Sequence, residues 1–168
     1  MKKLFSLTLL MLLGATTIFA QGMGKEKQRA SPHETVTGTN VKVTYGRPYK
    51  KGREIFGTLE AYGKVWRLGA DEATEITFDK GVVFGGKQVS AGTYTMFAIP
   101  EKTEWTIILN KQLKQWGAFS YDQTKDLVRI KVMPKTLSNV VEQLTITPKE
   151  NELVIEWDKT NITIPMKF

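Results

Sequence analysis

From Glu34 to the C-terminus the chain repeats one pattern: short runs of alternating apolar and polar residues, cut off by glycine, proline or asparagine. Val41, Val43 and Tyr45 are separated by Lys42 and Thr44, and Ile76 and Phe78 alternate with Glu75 and Thr77. Val128, Ile130 and Val132 alternate with Arg129 and Lys131. A period of two places each set of side chains on its own face of an extended strand, so these read as strands buried on one side. Val82–Phe84 and Lys87–Val89 flank Gly85-Gly86, which supplies the positive φ angles of a tight hairpin. Tyr94 to Ile99, stopped by Pro100, and Trp105 to Leu109 add two more strands, and "EQLTIT", "LVIEW" and "NITIPM" read as three short closing ones. The total is about nine or ten strands with no long amphipathic helix, which predicts an all-β antiparallel sandwich or barrel-like single domain. A short helical turn at 58–62 or 111–115 is compatible with that class. Pro134, Pro148 and Pro165 are expected at strand ends or edges, where a missing N–H is tolerated.

The chain contains no cysteine. Packing and backbone hydrogen bonds must therefore hold the fold, and thiol catalysis, zinc–thiolate sites and iron–sulfur clusters are excluded. His33 is the single histidine. A multi-histidine metal site is impossible, and an imidazole outside the strand region is poorly placed for a serine triad. Asp79, Asp122 and Asp126 offer oxygen ligands without the spacing of a calcium loop. No metal and no cofactor is expected.

The first residues, "MKKLFSLTLLMLLGATTIFAQG", combine a short positive start, an apolar run and a small residue at Ala20. They read as a signal peptide over 1–20, and the run is short for a bilayer span, which needs about 20 apolar residues. The expectation is an exported protein, periplasmic or extracellular, with no transmembrane segment after cleavage. Residues 21–33 read as a flexible lead-in, of which Arg29 to Pro32 is the part able to dock, and 34–168 as the domain. The net charge of +7 comes from lysines and arginines spread along the chain. A solvated surface accounts for such spreading, and export removes nucleic acid as a partner. Anionic solutes remain compatible with it.

Two segments are too long for simple hairpins and carry more aromatic and charged residues than a plain connection requires: 45–63, "YGRPYKKGREIFGTLEAYG", and 110–126, "NKQLKQWGAFSYDQTKD". Together with "YGKVWRLGADEAT", "AGTYTMFAIP", "EWTIILNK" and "VRIKV", they resemble the bacterial family designated domain of unknown function 2911 (DUF2911), from about Arg29 to the C-terminus. The resemblance implies an exported single-domain protein, carries no catalytic residue, and leaves molecular function unassigned. The family pattern has asparagine where this chain has Asp71, which exchanges an amide that donates and accepts for a carboxylate that only accepts.

Within "KVWRLGADEAT" an extended backbone sends Trp66 and Arg67 to opposite faces and separates Asp71 from Glu72. In one reading Trp66 is core and Arg67 pairs with Asp71 or Glu72 across Gly69-Ala70. In the other, Arg67 is a planar fork for a carboxylate or phosphate and Trp66 walls its pocket. Arg47, Lys50, Lys51 and Arg53 either form a solvated loop or clasp an anion. In "WGAFSYD", Trp116, Phe119 and Tyr121 beside Asp122 suit either core packing or a sugar site, where rings cover C–H faces and a carboxylate accepts hydroxyl protons.

Three functions stay open. The first is a non-catalytic module that binds a small anionic or carbohydrate ligand between the two long loops. It would use Arg47, Arg53, Trp66, Arg67, Asp71, Glu72, Trp116, Tyr121 and Asp122. The second is a hydrolase with Glu72 and Asp122 as acid and base. The third is a structural or protein-interaction domain of the cell envelope.

Overall fold

The computed structural model describes residues 28–168, so the proposed signal peptide and residues 21–27 lie outside the described residues. Ten strands form two antiparallel sheets. They are β1 (His33–Gly38), β2 (Val41–Gly46), β3 (Glu75–Phe78), β4 (Val82–Phe84), β5 (Lys87–Val89), β6 (Gly92–Ile99), β7 (Trp105–Asn110), β8 (Asp126–Val132), β9 (Lys135–Pro148) and β10 (Glu152–Lys167). One sheet has the order β1-β2-β3-β6-β7-β8 and the other β5-β4-β10-β9. The fold is an all-β sandwich and not a closed barrel. Among the described residues no helix is long and apolar enough to cross a membrane.

The alternation expected from the sequence builds the core. Val41, Val43, Tyr45, Ile76 and Phe78 point from the six-stranded sheet, and Leu144, Ile146, Leu153, Ile155 and Trp157 point back from the other. Complete burial of each large apolar side chain stabilises by about 1.5–3 kcal/mol. Gly85 and Gly86 take φ of 54° and 82° at the β4–β5 turn, as a two-residue hairpin requires.

The C-terminal region departs from expectation. "LVIEW" and "NITIPM" are halves of one strand, β10, and "EQLTIT" is part of the long β9. Inward residues of β10 switch from odd positions (Leu153, Ile155, Trp157) to even ones (Ile162, Ile164, Met166). The switch falls where the register with β9 shifts between Glu156 and Thr160, with Asp158 at φ 54°. Between the Glu156–Thr145 and Thr160–Thr136 pairs β10 advances four residues and β9 nine, and this bulged irregularity lets the inward parity of β10 change while both halves face the core. Pro165 consequently lies inside β10, beyond the last β9 pair at Asn161–Lys135. Among the described residues the one helical turn is Gln123–Lys125, and neither 58–62 nor 111–115 is helical.

Two packing arrangements hold the long loops. The 45–63 segment is pinned by Ile55, fully buried, and by Phe56, whose ring meets Trp105, Trp66 and Trp157 edge-on at 4.7, 5.7 and 6.2 Å. Trp66 also stacks on Trp157 with centroids 5.9 Å apart. The 110–126 segment covers the outer face of the six-stranded sheet, where Phe97, Ile108 and Ala73 make a second small core with Val65, Ala118 and Tyr121. That cover explains why β7 is buried on both faces.

Candidate functional site

The corner from Arg67 to Thr74 is the strut on which the loops and the N-terminal segment meet. Extended chain at Trp66 pairs with Ala98 of β6 through both backbone bonds, at 2.7 and 2.9 Å. Leu68 and Asp71 then adopt left-handed φ of 55° and 63°, and Thr74 closes the corner by donating from Oγ1 to Leu68 O at 2.7 Å. Ala70 N donates to Gly46 O at the start of the first long loop. A Cβ on Gly46 would sit 1.9 Å from Ala70 O, so only glycine permits this crossing. The second loop hangs on the same corner through Gly117 N to Asp71 O and Ala73 N to Gln115 O, both at 2.9 Å.

The left-handed turn at Asp71 overrides the extended backbone on which the sequence expectation rested. Both carboxylates face the N-terminal segment. Asp71 accepts the backbone N–H of Ala30 and Ser31 at 3.0 Å, and Glu72 takes Arg29 at 2.6 Å. Burial raises the Glu72 carboxyl, but the Arg29 hydrogen bond and charge outweigh it and hold the group below the usual carboxylate range. Arg67 therefore has neither expected acid as its partner. Residues 29–32 are bound to the domain, and His33 is the first residue of β1.

Of the hollows beside this corner, two share a wall. One, of about 370 Å³, is lined by Ser31 and Pro32, by Tyr49, Lys51 and Arg53 of the first loop, and by Glu60 and Arg67. The second, of about 310 Å³, lies between Glu60, Val65, Trp66 and Arg67 on one side and Ala118 and Phe119 on the other. Glu60 and Arg67 are common to both and form the partition. The only hydrogen bond of the Arg67 guanidinium among the described residues runs from Nε to Gly69 O, at a long 3.3 Å. Among the described residues neither Nη group has a hydrogen-bond partner. Glu60 has no hydrogen-bond partner for its carboxyl among the described residues, and burial pushes it up to about 7 against the opposing charges of Arg67 and Arg53. Trp157, also on the first hollow, is 2% exposed, and its indole N–H finds no acceptor among the described residues.

The other sequence candidates are placed differently. Arg53 lines the first hollow, although its Nε and Nη2 donate to the carbonyls of Lys50 and Tyr49. Arg47 stands apart, its guanidinium spent on Glu34 at 3.0 Å, Leu144 O at 2.9 Å and Thr145 at 3.1 Å, where it clasps β2 to β9. Trp66 is core, 3% exposed, with its indole N–H on Gly69 O. Trp116 is half-buried, pairs its backbone with Glu72, and lines neither hollow. Tyr121 packs on Phe97 and donates to Asp126 at 2.7 Å; burial and that bond push its phenol up to about 12. Asp122 caps the helical turn, where hydrogen bonds from the Thr124 hydroxyl and amide hold its carboxyl low. Among the described residues Glu72 lines a separate hollow with Arg29 and His33, and Asp122 lines none of these three.

Glu60, Tyr49 and Trp157 were not singled out as site residues from the sequence, and Lys51 was read only as one of four loop cations able to clasp an anion. Glu60 lies in "GTLEAYG", where nothing in the spacing marks it, and Trp157 reaches the site from the far sheet. Phe119 was legible only as one ring in an aromatic loop.

Comparison with curated proteins and with solved structures gives no match. Over residues 27–166 the sequence matches the family model described as protein of unknown function (DUF2911), and the chain belongs to that family.

Proposed function

We propose that the protein is an exported, non-catalytic binding module whose ligand is a small anion held in the paired hollows. The observation that carries this reading is the Arg67 guanidinium, set in the partition with both Nη groups unclaimed by protein acceptors among the described residues. A guanidinium offers two parallel N–H groups to a carboxylate or phosphate, and partial removal from water strengthens such bonds. Arg53 and Lys51 add positive charge to the first hollow. The sequence reading of residues 1–20 supports export. The hydrolase alternative draws less support, since Arg29 engages Glu72 and Thr124 engages Asp122. The structural alternative is supported by the burial of Trp66 but gives Arg67 no role.

The test is thermal unfolding of the purified protein against inorganic phosphate, sulfate and simple carboxylates, with Arg67→Gln alongside. A ligand at about a hundred times its Kd adds roughly 2.7 kcal/mol, a shift of several degrees. That shift should vanish in a folded Arg67→Gln protein. An unresponsive wild type, or an undiminished response in the variant, refutes the reading.

A further inference from the structure

Phe119 is the most exposed large apolar side chain among the described residues, ahead of Met133 at 76%. Phe78, Phe84 and Phe97 are at most 1% exposed, whereas Phe119 is 89% exposed at the mouth of the second hollow. Its loop is not dangling. Gly117 N is bound to Asp71 O, Tyr121 N to Ala118 O at 3.2 Å, and Ala118 packs into the outer core. The ring is thus presented by a fixed backbone, and leaving so large an apolar surface in water costs stability. It lies across the hollow from two polar groups of opposite character that no protein hydrogen bond has claimed among the described residues: the Nη groups of Arg67 and the carboxyl of Glu60.

A simple inorganic anion would use Arg67 alone and leave the ring and the acceptor idle. A neutral sugar would use the ring and the acceptor but would offer the guanidinium only neutral hydroxyl oxygens, which make weaker bonds than a carboxylate. A sugar ring bearing a carboxylate engages all three: its C–H face covers the phenyl ring, its carboxylate takes the guanidinium fork, and its hydroxyls donate to Glu60. The partition continues into the first hollow, where Arg53 and Lys51 offer further positive charge to a following acidic residue of the same chain. Resting on the anion-binding reading above, we infer that the ligand is an acidic saccharide of uronic acid type, bound with one ring on Phe119 and its carboxylate on Arg67. A short oligomer, longer than one ring, fills both hollows.

Calorimetric titration with glucuronate, trigalacturonate, a neutral trisaccharide of glucose and inorganic phosphate tests this, on the wild type, Phe119→Ala and Arg67→Gln. Phe119 is almost wholly in solvent, so its removal should not unfold the protein. The uronates should bind, the trimer more tightly than the monomer, and the neutral trisaccharide at least tenfold more weakly. Phe119→Ala should lower uronate affinity about tenfold, a stacking contribution near 1.4 kcal/mol, and phosphate affinity by a clearly smaller factor. Arg67→Gln should abolish both. If phosphate binds through Arg67 but uronates bind no better, or Phe119→Ala leaves them unaffected, the saccharide inference is overturned and the anion reading stands. Equal binding of the neutral trisaccharide also overturns it. If no anion of either kind responds to Arg67→Gln, both fall together.

Discussion

Arg67 and Phe119 converge on one point above Gly117. The Nη1 of the arginine and two ring carbons of the phenylalanine each lie 3.0 Å from the place a Cβ on residue 117 would occupy. Gly117 has φ 73°, so the backbone too resists any other residue. Gly117→Ala must therefore push the guanidinium and the ring aside while straining the loop. A stability loss of about 1 kcal/mol or more is expected in chemical denaturation, together with a reduced thermal response to phosphate. An alanine protein matching the wild type in both would show that the loop can re-seat without its glycine.

Glu60 makes stability depend on pH in the sense opposite to an ion-paired acid. Its folded value of about 7 exceeds the ordinary 4.5, so between these values the folded state binds more protons than the unfolded chain. The Glu60 contribution to stability is then constant below about pH 4.5, falls as pH rises towards 7, and levels off above it. The fall should be about 1–3 kcal/mol, since residual solvent contact screens part of the full shift. Glu60→Gln removes this component. Relative to wild type the variant should be unchanged near pH 4 and more stable at about pH 8. Parallel pH profiles for the two proteins would rule out Glu60 as the group responsible.

Asp71 holds the N-terminal segment rather than Arg67, and the effect of changing it should be local. Its carboxylate accepts the amides of Ala30 and Ser31, and a charged acceptor makes the stronger bond. Asparagine tolerates the left-handed φ of this position, so Asp71→Asn isolates the charge from backbone strain. Loss of about 1–2 kcal/mol of local stability is expected. Amide exchange at Ala30 and Ser31 should accelerate by roughly tenfold or more, while the unfolding midpoint moves little. Unchanged exchange would mean that a neutral oxygen holds these amides equally well.

What could be read from the sequence follows the reach of each physical rule. Alternation is local, so Val41, Val43 and Tyr45 declared their strand face, and Gly85-Gly86 declared its turn. The same rule divided β10 in two, because a bulge near Asp158 reverses the parity and imitates a strand boundary. One of the two readings of the corner paired Arg67 with Asp71 or Glu72 by proximity in sequence. Their real partners, Arg29 to Ser31, lie some forty residues away, as the hydrogen bonds at separations of 40 to 43 show. Glu60 became visible only when the first loop folded against the Arg67 corner, since burial, which shifts its carboxyl, belongs to the packed structure and not to the residue. The two long loops did announce themselves by length and composition, and both hollows lie beside them.

Phe56 couples the first hollow to the core, which makes loop anchoring testable apart from ligand contact. Its ring meets three tryptophans edge-on, the nearest at 4.7 Å, but lines neither of the two hollows. Such edge-to-face pairs contribute about 0.5–1.5 kcal/mol beyond area burial. Phe56→Ala should cost about 3 kcal/mol, at the lower end for phenylalanine truncation because the ring is only partly buried. Tryptophan fluorescence should change as Trp66, Trp105 and Trp157 lose their shared neighbour. Hydrogen exchange should rise first in 49–60, which carries Arg53 and Glu60, and stay slow at Gly117, whose amide is held by Asp71. Phosphate binding should weaken although no group on the wall of the hollow has been altered. If the variant loses stability but binds phosphate as the wild type does, the first loop keeps its shape without this anchor, and the hollow is fixed by the Gly46–Ala70 crossing alone.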